Sequence, residues 1–75
     1  MPSRKLQLDQ AREHVRHTQW RIEEQTDLIA SLRSDGHDTT AAELLLATFI
    51  DLLGKLALHL NQLEREAKKR PQSSN

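Results

Sequence analysis

Cysteine is absent from this chain of 75 residues, which excludes disulfides and thiolate metal sites and leaves a small scaffold to find its stability elsewhere. The aromatics are limited to Trp20 and Phe49 and the glycines to Gly36 and Gly54, so little in the chain suits a protein of strands and tight turns. A surplus of one charge is also missing. The 11 basic and 11 acidic side chains cancel, which argues against a protein that simply coats nucleic acid or an anionic membrane. The richest apolar stretch, Leu44 to Leu60, carries Asp51, Lys55 and His59, and no transmembrane span is expected there. The opening residues, Met-Pro-Ser-Arg-Lys-Leu-Gln-Leu-Asp-Gln, lack the apolar core of a secretory signal, so a cytoplasmic protein is expected.

What the chain has is periodicity. Leu8, Ala11, Val15, Thr18, Ile22, Gln25, Ile29 and Leu32 recur at alternating intervals of three and four, and six of these eight are apolar: a heptad seam. The spacing predicts one helix over about 5–34. Ser34-Asp35-Gly36-His37-Asp38-Thr39 then supplies both a stop and a restart. Gly36 can adopt the left-handed conformation that ends a helix. Asp38, Thr39, or a capping box from Thr40 to Glu43 can satisfy the first amides of the next helix. That second helix is predicted over about 40–69, with Lys68, Lys69 and Arg70 suiting its C-terminal dipole and Pro71 stopping it. Two helices of about 45 Å joined by a short loop must run antiparallel, so the expected fold is an all-α helical hairpin over 5–70. Disordered ends are expected at 1–4 and 71–75.

The second helix is too apolar for a hairpin alone. It carries one stripe of Ala42, Leu45, Phe49, Leu52, Leu56 and Leu63 and another of Leu46, Ile50, Leu53, Ala57, Leu60 and Ala67. The single seam of the first helix is expected to cover only one of them. Leaving Leu46, Ile50, Leu53 and Leu60 wet would forgo roughly 6–12 kcal/mol, comparable to the stability of a small domain. A homodimeric four-helix bundle is therefore expected, with Leu46, Ile50, Leu53, Gly54, Ala57 and Leu60 at the interface. Charge sets its direction. Residues 1–21 hold five basic and two acidic groups, 22–55 two and seven, and 56–75 four and two, so the open end of the hairpin is basic and the loop end acidic. Antiparallel pairing lays unlike ends together. Gly54 in mid-helix, about level with Trp20, has two readings: a close approach by a helix or by the indole, within the hairpin or across the dimer, or a tolerated glycine beside a surface tryptophan.

Other chemistry is sparse. His14, His17 and His59 are a weak candidate for a metal site, with Glu13 the one nearby acid, and no cofactor is expected. Arg12, Arg16, Arg21, Lys68, Lys69 and Arg70 can form a basic strip at the open end, but Asp9, Glu13, Glu64 and Glu66 are interleaved with it. No nucleophile elbow, glycine-rich phosphate loop or Ser/His/Asp set can be assembled, so an enzyme is not expected. The first expectation is a non-enzymatic interaction or scaffold module that pairs with itself and meets another protein. The rival is a small RNA- or DNA-binding dimer, whose layout resembles that of the plasmid copy-number regulator Rop without sharing a motif with it.

The stretch Leu28-Ile29-Ala30-Ser31-Leu32-Arg33-Ser34-Asp35-Gly36-His37-Asp38-Thr39, followed by Ala42-Glu43 and Leu45-Leu46-Ala47-Thr48-Phe49, resembles small uncharacterised proteins of rhizobia and related proteobacteria. The Asp-Gly-His-Asp-Thr loop is its most specific part. The resemblance covers about half of the chain and implies a bacterial helical hairpin, with no activity attached.

Overall fold

A computed structural model describes residues 4–69. Arg4, placed in the N-terminal tail by the sequence, is already helical, whereas Arg70 and the expected tail at 71–75 lie outside the described residues. The chain forms two helices, α1 (Arg4–Ser34) and α2 (Thr40–Lys69), packed side by side as an antiparallel hairpin, and the described residues contain no strand.

The turn between the helices is fixed by hydrogen bonds that the sequence anticipates in part. The His37 amide donates to the Leu32 carbonyl at 2.9 Å and the Gly36 amide to the Arg33 carbonyl at 3.1 Å. This pair closes the last turn of α1, with Gly36 at φ +79°, the left-handed conformation that a side chain would strain. Of the three candidate caps, Asp38 is the one that accepts: the Thr40 amide donates to its Oδ1 at 2.9 Å and the Thr40 hydroxyl at 2.7 Å. The Thr39 hydroxyl donates instead to Glu43 Oε2 at 2.7 Å, the same oxygen that Arg33 reaches at 2.7 Å from the end of α1. The carboxylate of Glu43 thus ties the two helix ends together across the loop.

The seam of α1 runs along the expected positions. Ala11, Thr18, Gln25 and Ile29 are buried, and Leu8, Val15, Ile22 and Leu32 are half-buried. Thr18 donates back to the His14 carbonyl at 2.9 Å, and the Gln25 amide nitrogen donates to the Ala42 carbonyl at 2.9 Å, crossing from one helix to the other. Both buried polar groups are thereby satisfied.

The burial of α2 departs from expectation. One stripe was to be covered and the other left bare; instead α1 lies over the boundary between them. Ala42, Phe49, Leu56 and Leu63 from the first stripe and Leu46, Leu53, Leu60 and Ala67 from the second are all half-buried. The outer members, Leu45 and Leu52 on one side and Ile50 and Ala57 on the other, stay exposed. No residue of α2 is buried. Eight half-covered positions spaced alternately by four and three form a second heptad seam facing the first, and the apolar arc of α2 is wider than a single neighbouring helix can roof.

Candidate functional site

The hairpin is one layer thick and so has two broad faces, distinguishable by which residues share a groove. On one face, Leu8 and Ala67 lie with Arg12, Glu64 and Lys68, and toward the loop Ile29 and Leu46 lie with Thr26, Ala30, Arg33 and Glu43. On the other, Ala11 and Leu63 lie with Gln7, Gln10, His14 and His59. Steps of seven extend each row. The first face is floored by Leu8, Val15, Ile22 and Ile29 of α1 and Leu46, Leu53, Leu60 and Ala67 of α2. The second is floored by Ala11, Thr18, Gln25 and Leu32 against Ala42, Phe49, Leu56 and Leu63.

The floors differ in how finished they are. On the second face the small or polar α1 residues Ala11, Thr18 and Gln25 are roofed by larger α2 side chains and are already buried. On the first, aliphatic residues meet aliphatic residues, and all but Ile29 remain half-exposed. That face is framed at each end by an ion pair between the helices: Arg12 to Glu64 at 3.4 Å near the open end and Arg33 to Glu43 at 2.7 Å near the loop. Ile50 and Ala57, seven and fourteen residues on from Glu43, form its exposed middle rim.

The interface residues expected from sequence therefore gather on this first face: Leu46, Leu53 and Leu60 in its floor, and Ile50, Gly54 and Ala57, all exposed, beside it. The α1 half of this face, Leu8, Val15 and Ile22, lies outside that expected set. The signal was available, since one row of the α1 seam is wholly aliphatic while the other contains Ala11, Thr18 and Gln25. A close approach at Gly54 is not made within the hairpin: a Cβ built there meets nothing within 4 Å, and Trp20 is 57% exposed. An extended hairpin one layer thick leaves both residues on outer surfaces.

The histidines divide. His14 and His59 border the same groove of the second face, whereas His17 points to Glu13, Nε2 to Oε2 at 3.1 Å. Among the described residues no group of three or more histidine, aspartate or glutamate side chains converges as metal ligands would. The basic strip is partly engaged: Arg12 meets Asp9 at 3.7 Å as well as Glu64, and Arg16 meets Glu13 at 3.5 Å. Arg21, Lys68 and Lys69 are exposed, and Arg70 lies outside the described residues. The titration of Asp38 is displaced. The Thr40 hydroxyl, and after it the Thr40 amide, donate to its carboxylate and hold its pKa below the ordinary aspartate value. No described helix is long and apolar enough to cross a membrane. Set against family models, curated proteins and solved structures, the chain matches none.

Proposed function

We propose that this protein is a non-enzymatic interaction module that works as a homodimer, two hairpins closing into a four-helix bundle that serves as a scaffold for another protein. What carries the reading is the unfinished burial of α2: thirty residues, rich in leucine, without one buried side chain. Only two hydrophobic residues of the described chain, Ala11 and Ile29, are buried at all. A second hairpin laid on the first would supply the missing helices, and each wholly covered Leu or Ile is worth about 1.5–3 kcal/mol relative to full exposure. The polar chemistry supports an interaction role over a catalytic one, because the convergent groups are caps and ion pairs with structural partners.

The rival, RNA or DNA held at the basic open end, has less support, since Arg12 and Arg16 already face carboxylates. Light scattering across a concentration series decides the main claim: a mass twice the 8.6 kDa of the chain at micromolar concentration is expected, and a clean monomer would overturn it. Gel shifts at low salt separate the rival, for which retardation that fades as salt rises would be diagnostic.

A further inference from the structure

Resting on that self-association, we infer that the second copy docks antiparallel on the face framed by the two ion pairs, α2 against α2, with the two-fold axis level with Gly54. The two faces of the hairpin are not equally in need of cover. On the face bearing His14 and His59, the α1 residues Ala11, Thr18 and Gln25 are already buried. On the framed face Leu8, Val15 and Ile22 of α1 are half-exposed together with Leu46, Leu53 and Leu60 of α2, against Leu32 alone in the α1 row of the other face, so docking on the framed face completes more of the α1 seam along with α2. A facing copy meets aliphatic rows with its own aliphatic rows, as a closed two-fold interface requires.

Charge selects the copy and its direction. Among the described residues the loop end of the hairpin is acidic and the open end basic, counted over 22–55 on the one hand and 4–21 with 56–69 on the other. Turning the second copy end for end lays each acidic end along the other's basic end, and a parallel copy stacks like on like. The same rotation places α2 over α2. Full overlap of the two hairpins then sets the axis at the middle of α2 (Thr40–Lys69), which is where Gly54 stands. Glycine is a poor helix residue, costing about 1 kcal/mol relative to alanine. Within one chain nothing approaches its position. At a two-fold crossing the missing side chain lets the two α2 backbones come close.

The native chain has no cysteine, so single cysteines report cleanly. Gly54→Cys marks the proposed axis, and Leu52→Cys marks nearly the same level on the opposite face. Each variant, checked for native helicity by circular dichroism, is treated with a short bismaleimide at micromolar concentration and read on a denaturing gel beside its light-scattering mass. The expected result is a covalent dimer as the major species for G54C and essentially none for L52C. A dimeric mass with L52C joined and G54C not would move the interface to the other face. A dimeric mass with neither joined would refute the antiparallel pairing centred on Gly54 while leaving the dimer standing. A monomeric mass for both variants and for the native chain would remove the dimer itself.

Discussion

Helices α1 and α2 face each other along the same seam and fare differently. The first has a polar surface and buries Ala11, Thr18, Gln25 and Ile29; the second is far more apolar and has no fully buried residue. Size across each layer explains the inversion. A small or polar side chain such as Thr18 is roofed by a larger α2 side chain in the facing row, but a leucine or phenylalanine opposite a small residue keeps much of its surface wet. Along the row of Ala11, Thr18 and Gln25, burial thus goes to the smaller member of each pair. The larger member needs a second neighbour, and α2 carries large apolar residues on both sides of its contact line, with Leu45 at 45%, Leu52 at 43% and Ile50 at 54% exposure. The contrast teaches that α2 fully covers half of the α1 seam, while α1 fully covers no residue of α2.

The substitution that most directly breaks this contrast is Leu53→Ala, in the half-covered row of α2. With a second copy in place Leu53 is a core residue, and its truncation is expected to cost about 2–5 kcal/mol. In thermal unfolding the midpoint should drop and should depend on protein concentration, as it does whenever association stabilises the fold. A loss below about 1 kcal/mol with a concentration-independent midpoint would mean that the α2 row stays half-wet in solution, and the contrast would then describe the finished molecule.

A smaller effect sharpens the α1 side. Gln25 is buried and donates to the Ala42 carbonyl, a link that fixes how far along α2 the first helix sits. Gln25→Ala should cost about 0.5–1.5 kcal/mol for the hydrogen bond, with a further loss for the space left empty. Gln25→Leu keeps the volume and removes the polar group, so stability should stay near that of the parent. Chemical denaturation of the pair measures both, and Q25L falling as far as Q25A would show that the bond itself, rather than the filled volume, holds the layer.

Most of the architecture was legible from these same features. The alternating intervals of the α1 seam and the Gly36 stop lead to the hairpin, since a short loop between long amphipathic helices leaves one topology. Less legible was how α2 divides its apolar surface. Its two stripes were separable on a helical wheel, but a neighbour settles over the line where the most apolar area can be covered at once, and that line runs between the stripes. Which of three capping residues acts was also undetermined, because Asp38, Thr39 and Thr40 all have side-chain oxygens within reach of a helix start. Geometry chose Asp38 and turned Thr39 toward Glu43. The bond from Gln25 to Ala42 had no sequence signal beyond a polar residue at a seam position.

The smallest expected effect belongs to the loop, where neither seam contributes. Donation from the Thr40 hydroxyl and amide favours the charged form of Asp38 and depresses its pKa in the folded chain relative to the unfolded one. A carboxylate depressed in this way stabilises the fold at pH values above its unfolded pKa, and the contribution is lost as pH falls through the lower folded value. Because Asp38 is exposed, the effect is modest and screened by salt. Asp38→Asn keeps an oxygen that can accept from Thr40 but removes the titrating charge, so stability measured from pH 7 down to pH 2 should decline less steeply in the variant. The difference between the two curves should be largest at neutral pH and close toward pH 2. Parallel curves over the whole range would show that Asp38 caps α2 without any contribution from its charge.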